Sequence, residues 1–330
     1  MRNNQFFDGL PAFLPGTPSF SASDQRLSLP LAPRIDPPLV SLLHPASKAT
    51  SFFHPSAEWL MSIDLKRQVT LVSLRDMLRS EPLRAHVIFE QCFDLYEQSF
   101  PDLNEISTSQ EIVAALQNDD FHFDVVALIE GGRVLGARHL IQLDTGVPEL
   151  GPFVVGEHMY VDRTERRRGI GKSLVSRTED LMRSWGVRVA ISEQNDPHAM
   201  SPDLLALDES AGISATQRRS FWKSRGYEGI DAPYVMPPIS DDKEAVYHLR
   251  IAIRRLDPTF PDTIPTESFI GMLRAYHSSW VDDVDSNPHT VALYDRLRTE
   301  CPGSVRIIDL ESPRTCVTET RGADLLPEQS

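Results

Sequence analysis

Cysteine is scarce in this chain: three residues of 330, Cys92, Cys301 and Cys316. An odd count without metal-ligand spacing excludes a disulfide framework or a zinc finger, so reduced thiols are expected, and no metal. Long apolar runs are missing as well. No segment nears the roughly 18 apolar residues that a membrane span requires, and the N-terminal residues lack the apolar core of a secretory signal. A cytoplasmic protein with no membrane partner is expected. Basic residues are in the minority, 33 Lys and Arg against 47 Asp and Glu, for a formal net charge of −14. Nucleic acids are normally met by a basic face, so no nucleic-acid partner is expected.

What remains is ordinary globular usage, 41% hydrophobic and 24% charged, enough to build a core without staples. Three regions differ in texture. Residues 1–65 hold nine of the 25 prolines before residue 61 and show little periodicity, the composition of an extended leader. Phe6, Phe7, Phe13, Phe52, Phe53 and Trp59 suit docking of part of that leader on the main body. Residues 66–255 carry regular elements. Residues 256–330 form an appended region, helical by pattern over 267–281 and 291–298, with a polar tail from Pro313.

Within the middle region, a strand and turn over 69–77 precede a helix over 83–100, stopped by Pro101. A short helix over 111–116 follows. The β-formers of 125–129 and 133–143 flank Gly131-Gly132 and predict a hairpin. Residues 153–161 and 187–192 read as strands. Ser201 and Pro202 predict the start of a short helix in the irregular stretch 195–212. Ser214 and Gln217 predict a capping box, and residues 245–255 the last strand of the core.

Chemistry concentrates at Arg166-Arg167-Arg168-Gly169-Ile170-Gly171-Lys172-Ser173. Upstream lies the strand ending before Asp162. Downstream, Leu174, Leu181, Met182 and Trp185 recur at the spacing of a helix with one buried face, up to a stop at Gly186. A helix start presents N–H groups and the positive end of its dipole, and glycines let an anion approach the backbone. The pattern predicts a phosphate cradle; an ordinary turn with a solvated basic cluster is the alternative. Two familiar motifs are excluded. A P-loop needs glycine five residues before Gly171, where Arg166 stands, and a dinucleotide fingerprint needs glycine three residues after it, where Leu174 stands.

The stretch resembles motif A of the GNAT acyltransferases: Arg or Gln, two residues, Gly, one residue, then Gly or Ala, met by Arg166, Gly169 and Gly171. His158-Met159-Tyr160-Val161-Asp162 before it and Trp222-Lys223-Ser224-Arg225-Gly226-Tyr227 after it extend the likeness over residues 66–255. The resemblance implies an α/β fold, a GNAT-like mixed central β-sheet flanked by helices, here with an N-terminal leader and a C-terminal helical extension. It implies acetyl-CoA or another acyl-CoA as cosubstrate. Arg166, Arg167, Arg168, Gly169, Ile170, Gly171 and Lys172 would hold the pyrophosphate, and main-chain groups of Tyr160 and Val161 the pantetheine arm. It also implies acyl transfer to an amine in a direct ternary complex; no activated cysteine is visible for a covalent intermediate.

Such chemistry needs a base for the ammonium, a donor for the oxyanion and an acid for the departing thiolate. Glu193, seven residues after Gly186, stands where several family members place a catalytic glutamate; a solvated carboxylate at a strand end is the alternative. Glu157 is the second catalytic candidate. Strand alternation puts it on one face with Met159 and Val161, while His158 and Tyr160 take the other and pack on a helix. Trp222 stands where many members carry the tyrosine that protonates the thiolate, and an indole cannot do so. Tyr96, Phe100, Asn195, Asp196 and Trp222 are expected around the acceptor. Asp196, Asp203 and Asp208 could pair with an ammonium or solvate a loop. The appended region, with Tyr276 and Trp280, is expected as a lid or second lobe, with a structural cap or homodimer contact as the alternatives. The expected acceptor is a small amine or amino-acid-like metabolite. A protein or peptide amine is one alternative, and a non-catalytic CoA-binding module that kept only the cradle is another.

Overall fold

A computed structural model of the chain describes residues 69–100, 106–120, 122–147, 150–210, 212–238, 243–281 and 283–315. The expected leader, Pro101 and Cys316 lie outside these residues. In chain order, strand β1 (Thr70–Ser73) is followed by helices α1 (Leu74–Ser80), α2 (Pro82–Glu97) and α3 (Ser109–Gln117). Strands β2 (His122–Glu130), β3 (Arg133–Asp144) and β4 (Pro152–Val161) lead into helix α4 (Ile170–Ser184) and strand β5 (Val189–Asn195). Helices α5 (Pro202–Ser210) and α6 (Ala215–Ser224) precede strands β6 (Glu228–Asp231), β7 (Leu249–Arg255) and β8 (Thr263–Pro265). Helices α7 (Thr266–His277) and α8 (Pro288–Glu300) and strand β9 (Ser304–Ile308) complete the series.

The strands form one open mixed sheet in the order β1-β2-β3-β4-β5-β7-β6-β9-β8, flanked by helices. Local chemistry explains most element ends. Gly131 and Gly132, at φ 60° and 85°, make the β2–β3 hairpin turn that their spacing predicts. Ser214 and Gln217 close a reciprocal capping box on α6, and Ser201 Oγ accepts from the Leu204 N–H at 3.2 Å as α5 begins. Two expectations fail. The residues after β1 form α1 rather than a turn, because Ser73 caps it by accepting from the Asp76 N–H. Strand β7 is not the last of the core: β6, β9 and β8 lie beyond it in the sheet, so the appended region is not purely helical. Strands of three to five residues are too short to register a period of two in the sequence.

Buried side chains cover both faces of the sheet. Phe123, Ile141, Phe153, Val155 and Ile191 join a core with residues of α1, α2, α3, α7 and α8. On the other face, Val126, Leu140, Val154 and Ala190 pack with Met182, and Leu128 and Leu135 with Ile170 and Leu174 of α4. Full burial of each large apolar side chain stabilises by about 1.5–3 kcal/mol. Among the described residues no helix is long and apolar enough to cross a membrane.

Two irregularities position the site. All neighbouring strands run antiparallel except β4 and β5, which pair in parallel only from Phe153 to Val155 and from Val189 to Ile191. Beyond Gly156 and Ser192 they have no ladder between them. In the β3–β4 ladder, Leu140 faces Gly156 but Arg138 faces Met159, so Glu157 and His158 together oppose His139. That is a β-bulge.

The ladder next to the bulge is also tight. A Cβ on Gly136 would sit 2.6 Å from the Tyr160 carbonyl oxygen, and backbone cannot yield there without parting the strands. Gly136→Ala is therefore expected to lower the unfolding free energy by about 1–3 kcal/mol, read as a lower urea midpoint.

Candidate active site at the fork of β4 and β5

Where β4 and β5 part, a cavity of about 140 Å³ opens, lined by both strands, the end of α2, and residues of α6 and α7. The bulge decides what faces it. Glu157 and His158 both line it, which corrects the alternation that set them on opposite faces; one extra residue in the strand shifts the period of two. The Glu157 carboxyl accepts from Trp280 Nε1–H at 2.9 Å and lies 3.3 Å from Tyr276 Oη. Glu193, from the β5 side of the fork, accepts from Tyr276 Oη at 3.0 Å through Oε2 and from Tyr234 Oη through Oε1. The two sequence-derived catalytic candidates thus share one tyrosine.

Burial first, and the Glu193 charge second, push the Glu157 carboxyl up to about 8. Near neutral pH Glu157 therefore keeps its proton, and Tyr276 has a single hydroxyl proton to share between the two carboxyl groups. A carboxyl raised on folding binds its proton in the native state over a pH range where the unfolded chain has released it. Stability must then fall as pH rises from the ordinary carboxylate range towards about 8. Thermal unfolding of wild type is expected to show this loss, and Glu157→Gln, which keeps a neutral side chain at every pH, is expected to flatten it.

His139 lies behind the pair, its Nε2 3.1 Å from Tyr160 Oη; burial and then His158 hold its imidazole well below the usual range. Donor atoms of His139, Glu157 and His158 lie within 4.8 Å of one another. Tyr160 already engages the first, and Trp280 and Tyr276 the second, so we assign no metal there.

The basic turn sits at the start of α4. Arg167 (φ 66°) and Gly169 (φ 81°) are both left-handed, and this curls the chain into the helix so that its first-turn amides face outward. Arg168 pairs with Glu165, which also takes Arg133 at 2.9 Å. Arg166 Nη1 would stand 3.1 Å from a Cβ on Gly212, so the turn lies close to the loop before α6. Arg167 and Lys172 are exposed. On its β3 side, β4 pairs Tyr160 with Ala137 and Val161 with Gly136; on its β5 side, among the described residues, no strand pairs with it beyond Val155.

Of the residues expected around an acceptor, Phe100, Asn195 and Trp222 line the cavity. Tyr96 does not. It is 1% exposed, packed on His158 at 4.9 Å with its hydroxyl accepting from the Ser107 N–H, so it supports the wall from behind. Asp196 is likewise withdrawn: buried, it lies 3.7 Å from Arg219 and 3.3 Å from Arg314. Asp208 is held by Arg218 and by Asn195 Nδ2 at 3.2 Å, and Asp203 is exposed on α5. Arginines distant in sequence have neutralised two of the three carboxylates that looked ready for an ammonium. Trp222 also meets Tyr227 edge-on, ring centroids 4.7 Å apart, beneath the Arg138 guanidinium at 5.2 Å.

Residues 89–200 match the acetyltransferase (GNAT) family. Over those residues the chain is similar to a GNAT acetyltransferase domain. No curated protein matches the chain. Solved structures that the chain matches include an aminoglycoside acetyltransferase from an uncultured soil metagenomic sample in complex with trehalose, 22% identical over 44% of this chain and 85% of its own, TM-score 0.31. Aminoglycoside 6'-acetyltransferase type Ii is 15% identical over 55% of this chain and 96% of its own, TM-score 0.37. An N-acetyltransferase from Thermoplasma acidophilum, solved with coenzyme A, is 13% identical over 57% of this chain and 99% of its own, TM-score 0.34. Within the GNAT match fall Glu157, the basic turn and Glu193; Trp222, Tyr234, Tyr276, His277 and Trp280 lie beyond it. Sequence reading took Tyr276 and Trp280 only as lid residues and passed over His277. The sole signal was the i, i+4 spacing of Tyr276 and Trp280, which many core helices share.

Proposed function

We propose that this chain is an N-acyltransferase that moves an acetyl group from acetyl-CoA to a primary or secondary amine of a small, amino-acid-like metabolite in one ternary complex. The observation that carries this reading is the pair of carboxylates at the fork, Glu157 kept protonated by burial and by the charge of Glu193. Glu193 is the base. As the ionised member it takes the proton of the incoming ammonium, which frees the nitrogen lone pair for attack. Tyr276 holds its Oε2, and protonated Glu157 is a neutral polar wall that does not compete for the cation.

The chain's own geometry fits an extended, diphosphate-bearing cosubstrate. Two left-handed residues and a helix start form a cradle at 166–172, and the β5 side of β4 has no strand partner beyond Val155. Arg166 to Lys172 would hold the diphosphate, and Tyr160 and Val161 main-chain groups the arm. When bound, acyl-CoA supplies an activated acyl group. No side-chain acid is assigned to the leaving sulfur, because Trp222 occupies the place where many relatives carry tyrosine. A cavity of about 140 Å³, walled by Tyr276 and Trp280, favours a small acceptor over a protein surface. It also makes the region after Arg255 part of the acceptor wall.

Thiol release from acetyl-CoA, measured against a panel of small amines and lysine-bearing peptides, tests the reading. Release stimulated by small amines supports it. Binding of acetyl-CoA with no amine-dependent release across the panel would overturn it in favour of a CoA-binding module.

A further inference from the structure

A row of buried hydroxyl and imidazole groups runs from Glu193 into the appended region. Tyr234 Oη donates to Glu193 Oε1 and lies 3.3 Å from His277 Nε2. On the other side of the ring, His277 Nδ1 lies 3.2 Å from Tyr294 Oη. Tyr294 is buried, with the Arg274 guanidinium over its ring at 5.6 Å and Asp285 paired to that arginine at the surface.

With Glu193 ionised, counting protons fixes the direction of every bond. An ionised carboxylate can only accept, and Tyr234 has one proton, which goes to Glu193. The Tyr234 oxygen can then only accept from His277, so Nε2 carries the hydrogen. Burial pushes the His277 imidazole down to about 3, so the ring is neutral with a single N–H. Nδ1 must therefore accept, and Tyr294 must donate to it. Three successive donors, from three separate elements, all point at one carboxylate oxygen, and bonds in such a chain polarise one another.

We propose that Tyr294, His277 and Tyr234 form a one-way hydrogen-bond chain that holds Glu193 as the anionic member of the carboxylate pair, which makes His277 and Tyr234 positioning residues for the base. The chain decides which of two adjacent carboxylates is free to take a proton. It rests on the acyltransferase reading only for its catalytic consequence; the ionisation itself can be observed without substrate. Ionisable groups at Glu193 include Glu157 from β4, Tyr234 from the segment after β6 and Tyr276 from α7, with His277 of α7 next to Tyr234. Tyr294 and then Arg274 and Asp285 stand behind His277, and His139 and His158 stand beside Glu157.

The test is a ¹³C NMR titration of glutamate carboxyl groups in the full chain, with the Glu193 signal assigned through Glu193→Gln. In Tyr234→Phe the midpoint for Glu193 ionisation is expected to rise by about one pH unit, the size of one lost charge-assisted hydrogen bond. His277→Leu is expected to raise it similarly. His277→Gln, which retains a donor and an acceptor, should return it towards wild type, and the acid limb of kcat/KM should follow the same order. A role in packing alone would lower activity in these variants and leave the midpoint where it was. An unmoved or lowered midpoint in both Tyr234→Phe and His277→Leu would overturn the chain. If Tyr234→Phe fails to fold, Tyr294→Phe is the second probe: a smaller rise there supports the chain, and no change there and in His277→Leu rejects it. Midpoints that move as stated in a protein that acetylates no amine would sink the acyltransferase reading and leave the chain standing.

Discussion

Glutamine at position 193 is expected to lower kcat by about 10²–10³-fold while acetyl-CoA affinity changes by less than about twofold, as removal of a positioned base does. The substitution is nearly isosteric. Its carbonyl oxygen can still accept from Tyr234 or Tyr276, which donate to the two carboxylate oxygens in wild type, so the fork keeps its shape while the proton acceptor is gone. A second consequence comes with it. Glu157 is raised partly by the Glu193 charge, so its titration is expected to move down in the variant. Steady-state thiol release, calorimetry and a pH–rate profile check all three statements. A variant that keeps the wild-type profile would transfer the base role to Glu157 or to another group.

Gly171→Glu is expected to weaken acetyl-CoA binding by more than about tenfold, or about 1.4 kcal/mol, with thermal stability near that of wild type. The two halves of this expectation have separate causes. A Cβ at Gly171 meets Phe221 at 3.5 Å, an ordinary contact, and glutamate is a better helix former than glycine. The fold can therefore accept the residue. A carboxylate on the first turn of α4, however, fills the cradle with the wrong charge just where the helix dipole and Arg166 to Arg168 favour an anion. Calorimetry with unchanged affinity would reject the cradle. Lost affinity together with a large fall in melting temperature would point to local unfolding instead.

How far the site was legible follows the range of the forces that make it. The glycine pair of the β2–β3 hairpin, the capping box of α6 and the turn into α4 act within about five residues of chain, and each is visible in the sequence. Glu193 was visible as a candidate through the family resemblance, and Glu157 through its place on the strand before the basic turn. The side on which Glu157 points was not visible, because the bulge arises from the register with β3 and leaves no residue signature. Asp196 misled for a similar reason: an aspartate in an irregular loop reads as available until Arg219 and Arg314 are seen beside it. Tyr96 misled because aromatic residues near a site serve as readily to support its wall as to face its contents.

By itself the chain's order of residues determined that a basic, glycine-bearing turn opens a helix after a strand, and that a carboxylate stands at the end of the next strand; both follow from backbone conformations set by immediate neighbours. Only the tertiary structure decided which donors meet each carboxyl group at the fork. Trp280 reaches Glu157 across 123 positions and Tyr276 reaches Glu193 across 83. A proton's affinity for a group depends on the water removed from it and the charges and donors placed around it, and those are supplied here by segments that only folding brings together.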